Sequence, residues 1–275
     1  MNNDDSHRKV NSIISLVVFF IAVLSVTGCS LLQQSAAALR STEHFIPNAK
    51  DNRVMFEPGA EVYAEKVASF LSSAIDQVEK QQYRHFVAPV HVYVCESRES
   101  FKKYYGADVR AGVLTKLFLS PRIFEFGDEI ARKYLTHELS HLHLQQQLGI
   151  YKTVKLPMWF KEGLATYVSN GGGAHLTSQE QAIAFIRAGK YFVPNNSDGF
   201  IFKKTPSDFG LEPHMFYRQS MMFISYLVTI DESGFRRFLL SVESGEQFST
   251  ALQATYNKKL EDLWNEFLHE IIKTG

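Results

Sequence analysis

The residues with the clearest chemical potential lie in Thr136-His137-Glu138-Leu139-Ser140-His141. On a helix, positions four apart differ by about 40° in azimuth and sit one turn from each other, so both imidazoles can reach a single ion. Glu138 lies about 100° around from His137. It therefore stands beside such an ion rather than on it, where a carboxylate can take a proton from a water. A catalytic zinc ordinarily keeps three protein ligands and leaves a fourth position open. Glu162 is the candidate third ligand. After His141 the chain has room to finish its helix before Gly149, cross a short connection and return on a helix holding Met158-Trp159-Phe160-Lys161-Glu162-Gly163-Leu164-Ala165. Gly163 suits close packing of that helix, because only a hydrogen stands where a side chain would.

The elements that must carry these residues are readable from spacing. Pro58 occupies a first-helical position, and Ala64, Val67, Ala68, Leu71, Ala74, Ile75 and Val78 recur at helical intervals behind it. Val90, Val92 and Val94 alternate with His91 and Tyr93, the pattern of a half-buried strand, and a second extended stretch runs from Val109 to Leu119 through Gly112. A small sheet is thus expected before the motif helix. That helix starts at Asp128, a plausible N-cap, and ends before Gly149. Pro157 opens the next one, through Val168, and Gly171-Gly172-Gly173 then breaks regular structure and marks a boundary between lobes. Beyond it, 179–187, 215–229, 235–242 and 260–272 show helical apolar spacing, with a long loop over 190–213.

The HExxH of His137 to His141, followed downstream by the WFxEGLAxY-like helix around Glu162, resembles the gluzincins, the thermolysin-like zinc peptidases. The match is close from Thr136 to Tyr167, while the helix and small sheet upstream and the Tyr217-Arg218-Gln219-Ser220 helix downstream match more loosely. The resemblance implies zinc, an α+β two-lobed cleft and hydrolysis of peptide bonds by a metal-activated water. It carries the ligand role onto His137, His141 and Glu162 and the role of base onto Glu138. In the family a Tyr or His from the C-terminal lobe stabilises the oxyanion, which points to Tyr217, with His214 as the alternate. Thermolysin-like enzymes place an Asp four residues after the ligand Glu to orient a histidine. Thr166 stands there instead, and its hydroxyl could still accept from an imidazole N–H. No GxMEN-like segment, used by aminopeptidases of the clan, is found, so endopeptidase action is favoured.

Composition narrows the setting. The chain has 275 residues, 45% of them hydrophobic, enough for one good core or two lobes. Lys plus Arg equals Asp plus Glu at 29 each, which leaves no net field for a polyanion and makes nucleic acid a poor partner. Its 22 Phe and 12 Tyr read as core and groove lining. Arg8 and Lys9 precede an uncharged stretch from Asn11 to Thr27, and Val26-Thr27-Gly28-Cys29 resembles the lipobox of bacterial lipoproteins, whose cysteine becomes the lipidated first residue. Ser30 after it resembles lipoproteins sent to the outer membrane. With Cys29 lipidated, Cys95 is the one thiol left, no internal disulfide can form, and Cys95 reads as buried and inert. The expected organisation is a signal peptide over 1–28, a tether over 29–56, a catalytic lobe over 57–170 and a helical lobe over 171–275, acting as a lipid-anchored monomer on peptide or protein substrates at the cell envelope. His143, about 200° around from His141, faces away from the ion and reads as a surface or packing residue. His85, His175 and His269 have no assigned role. The rival reading is a non-enzymatic envelope lipoprotein that keeps the metal-bearing fold and binds a protein or cell-wall partner. Glu138 separates the two, since a binding module has no need of a base beside the metal.

Overall fold

The computed structural model describes residue 37 and residues 40–113, 116–198 and 204–273. Residues 1–28, Cys29, residues 30–36, 38 and 39 of the expected tether, 114–115, and 199–203 of the 190–213 loop lie outside the described residues. The fold is α+β, with one small mixed sheet and ten α-helices among the described residues.

The strands are short: β1 (Ile46–Pro47), β2 (Val54–Phe56), β3 (Val92–Val94), β4 (Ala111–Val113) and β5 (Leu117–Leu119), in the spatial order β1-β2-β3-β5-β4. The central pairs β2–β3 and β3–β5 are parallel, whereas β1 and β4 run antiparallel to their neighbours at the two edges. The alternation in the sequence decides the faces. Val54, Phe56, Val92, Val94, Leu117 and Leu119 point into the main core. Met55, Tyr93 and Phe118 point the other way, onto Phe45, Phe101 and Tyr104, with Cys95 in the same cluster. Cys95 is fully buried, and burial pushes its thiol far above the ordinary range. The segment read as a tether therefore contributes β1, β2 and the buried Phe45 to the sheet. Two- and three-residue strands show too little alternation to stand out in a sequence and form only because pairing partners lie elsewhere in the chain.

The helices are α1 (Glu61–Gln82), α2 (Arg98–Tyr105), α3 (Asp128–Leu148), α4 (Ile150–Lys155), α5 (Met158–Val168), α6 (Gln179–Arg187), α7 (Pro213–Ile230), α8 (Glu232–Glu243), α9 (Phe248–Tyr256) and α10 (Leu260–Lys273). α1 begins three residues after Pro58, because Gly59 takes φ +102 and Pro58-Gly59 forms a turn. Asp128 is the first residue of α3 rather than its cap, which is Gly127, and it pairs with Lys66 at 2.7 Å. The extended stretch 109–119 is two antiparallel strands, not one. α2, α4 and α9 are additional to the helices expected.

The buried cluster runs continuously from Val54 in the sheet to Leu268 in α10, so the segments on either side of the triple glycine share one core. Its aromatic centre lies under α5, where Trp159 packs at ring-centroid distances of 5.1 Å from Phe223 and 5.9 Å from Phe248. Trp159 also donates Nε1–H to the carbonyl of Asn195 at 2.9 Å, tying the long loop down. Among the described residues no helix is long and apolar enough to cross a membrane.

Candidate metal centre

α3 and α5 bring His137, His141 and Glu162 to one point. The two Nε2 atoms lie 3.1 Å apart, and Glu162 Oε2 is 3.2 Å from His137 Nε2 and 3.5 Å from His141 Nε2. Donors about 2.1 Å from a tetrahedrally coordinated ion stand about 3.4 Å from one another. The three separations match that figure, so the residues fit a metal ion, and a His₂Glu donor set suits zinc among the divalent ions. They form the one His/Cys/Asp/Glu group among the described residues that could hold a metal.

α5 can approach because it has no side chain at the contact with α7. A Cβ on Gly163 would lie 2.8 Å from the Ser220 carbonyl oxygen. The same helix pair carries Glu162 on one side and Tyr217 on the other, so close packing sets the distance across the site.

His137 is oriented by the backbone. Its Nδ1–H donates to the Gly172 carbonyl at 3.0 Å, which leaves the Nε2 lone pair free for an ion. The Gly172 N–H in turn donates to Ser169 Oγ at 3.0 Å, and the Ser169 hydroxyl donates to the Ala165 carbonyl at 2.6 Å. The hydroxyl of Thr166 does not take this role: its Oγ1 is buried with no hydrogen-bond partner among the described residues. A backbone carbonyl leaves no side-chain signature, but the run of three glycines directly after the ligand helix marks where such an acceptor could come close. The turn that reads as a lobe boundary is thus part of the site.

Charge around the centre is graded. Burial opposes ionisation of Glu162, yet the His141 and His137 imidazoles beside it hold its carboxyl well below the ordinary range. Glu138, off the ligand set on the same helix, goes the other way. Burial raises it, the His137 imidazole pulls part of that back and the Glu162 charge adds a smaller rise, which leaves it at about 7, the range in which a carboxyl both takes and returns a proton.

Tyr217 lies over the ligands: its ring stacks on His137 at 6.0 Å and 24°, and its hydroxyl feels the Glu162 carboxylate. The Glu162 charge, then burial, raise this phenol well above its usual value, so it stays a proton donor. His214, one turn earlier on α7, sits against the His175 ring at 4.8 Å with Nδ1 buried and unpartnered, and is not in the ligand cluster. His143 is fully buried away from the site, its Nε2–H donating to the Arg84 carbonyl at 3.0 Å, with Gln82 and Glu243 beside Nδ1.

These residues open into a cleft of about 940 Å³. The edge strand β4 forms one side with Arg110, Ala111 and Val113, and Lys161, His214 and Tyr217 stand on the helical side. Tyr105 also lines it, although nothing in the sequence singles it out. No protein-family model matches this chain, and no curated protein matches it significantly.

Proposed function

We propose that this chain is a zinc-dependent peptidase of the gluzincin type, with a thermolysin-like two-lobed cleft. The observation that carries the reading is the convergence of His137, His141 and Glu162 at the separations of a tetrahedral ion, with Glu138 next to them in an open cleft. When bound, zinc supplies Lewis acidity, which polarises a carbonyl and makes a water easier to deprotonate. Glu138 takes that proton as the water attacks and returns it to the leaving nitrogen. Tyr217 donates its hydroxyl hydrogen to the carbonyl oxygen as negative charge gathers there. Substrate lies along β4, whose outer edge has no neighbouring strand among the described residues, and pairs with it through backbone hydrogen bonds. A cleft open along a strand edge takes internal bonds of a peptide, which supports endopeptidase action. Cys29 in its lipobox-like setting supports a lipid-tethered enzyme at the cell envelope, acting on peptides or proteins there.

The test is Glu138→Gln against a peptide library at neutral pH. The variant should hold zinc as the wild type does and lose roughly 10²- to 10⁴-fold of its turnover, the usual contribution of a positioned base. Equal turnover by the two proteins would refute the mechanism, and no turnover by either, with zinc bound, would favour the adaptor.

A further inference from the structure

The geometry points to Tyr105 as a second hydrogen-bond donor to the reacting carbonyl, reaching the centre from the sheet side through the space left by the missing side chain of Gly112. This rests on the peptidase reading. The register of the sheet shows how the position arises. Met55, Tyr93, Phe118 and Gly112 stand opposite one another in a single row across β2, β3, β5 and β4. The first three place side chains on the far face of the sheet, and at the fourth the Tyr105 ring takes the space. A Cβ on Gly112 would lie 2.1 Å from Tyr105 Cε2, 2.2 Å from Cζ and 2.7 Å from the hydroxyl oxygen. Any side chain there would expel the ring. A lone glycine within a strand commonly marks such a close approach.

The ring is held from behind by Phe101, stacked at 5.3 Å and 28°. In front, Tyr105 lines the same cleft as Glu138, Glu162 and Tyr217. Burial first, with the Glu138 and Glu162 charges adding to it, raises its phenol far above the ordinary range, so it is a donor at every working pH. No hydrogen bond to its hydroxyl is present among the described residues. A phenylalanine would fill the wall equally well, so what the tyrosine adds at this place in the cleft wall is a hydroxyl donor. The acceptor that completes it is the substrate: a carbonyl oxygen turning anionic between Tyr105, on the sheet side, and Tyr217, on the helical side, takes one donor from each.

The experiment compares zinc-loaded wild type with Tyr105→Phe and Gly112→Ala on the library peptide cut fastest. Tyr105→Phe should lower kcat about 10- to 100-fold with KM within about twofold, the pattern of an interaction made only in the transition state. Gly112→Ala, which displaces the ring, should fall in the same direction with unchanged zinc content and circular dichroism. Unchanged kcat, or a rise in KM alone, would overturn the role. A second measurement does not depend on turnover: calorimetric affinity for a phosphinic peptide, whose tetrahedral anionic group occupies the place of the reacting carbonyl. Tyr105→Phe should bind it at least about tenfold more weakly at equal zinc affinity. Should the wild type cut nothing, the peptidase reading falls, and this measurement still decides Tyr105: weaker binding supports a donor facing the ligand, equal binding overturns it.

Discussion

Replacing Gly163 by alanine tests the link between helix packing and the metal centre. The new Cβ would lie 2.8 Å, 2.9 Å and 3.0 Å from the carbonyl oxygen, carbonyl carbon and Cβ of Ser220. The shortest of these is about 0.6 Å inside the 3.4 Å at which ordinary contact begins. Two of the three atoms are main chain of α7 and cannot rotate away, so α5 and α7 must separate by about that amount. Overpacking of this kind costs about 1–3 kcal/mol, and the better helix propensity of alanine returns about 1 kcal/mol. The metal-free variant should therefore lose about 1 kcal/mol, or about 2–4 °C in Tm for a domain of this size. The larger effect falls on the ion. Ligand positions must hold to within about 0.2 Å, and Glu162 is the neighbour of the displaced residue. Zinc affinity, measured by competition with a chromophoric chelator, should drop about 10- to 100-fold, as when groups supporting a ligand are lost. Affinity within twofold of wild type together with an equal or higher Tm would refute the packing argument.

Two further predictions concern histidines outside the ligand set. His143→Leu leaves Glu243, itself without exposure, in the interior with only Arg84 at 3.5 Å. The cost should be about 3 kcal/mol, near the lower end for breaking a buried pair because Arg84 remains, and the double variant His143→Leu/Glu243→Leu should recover much of it. Urea titrations in which the double variant is as unstable as the sum of the two singles would show that the pair is not coupled. Burial first, then the neighbouring His214 and Arg110, lower the His175 imidazole to about 4, against about 6.5 in an unfolded chain. Between those values the unfolded chain binds a proton that the folded chain does not, so stability declines as pH falls through the window from 6.5 to 4. Metal-free His175→Phe should show a flatter decline in urea midpoint there than the wild type, and parallel curves would contradict the assignment.

Periodicity carried the large helices. Apolar spacing marked α1, α3, α5 and α7, because each buries one face and that face recurs every three or four residues. The paired imidazoles were also local, since helix geometry alone puts positions 137 and 141 one turn apart. The strands were harder. β2 is three residues of uniform apolarity, and it becomes a strand only by pairing with Val92 to Val94, far away in the chain. α9 is nine residues long like α6, but it starts after Gln247 with no side-chain cap, whereas Ser178 opens α6 with a capping box.

Within the site the division follows the range of the interaction. The amino-acid sequence by itself determined which residues could ligate and which could act as base, because residue type and helical spacing set those roles. It also carried Gly112 in β4, with no reason assigned, and the triple glycine after α5, read as a lobe boundary. The tertiary structure alone decided that Glu162 meets the histidines, that Gly172 rather than Thr166 orients His137, that His143 is buried against Glu243, and that Tyr105 crosses the edge strand at Gly112. Each of these depends on how closely two distant backbones approach, and that distance is set by packing across the whole core rather than by any local pattern.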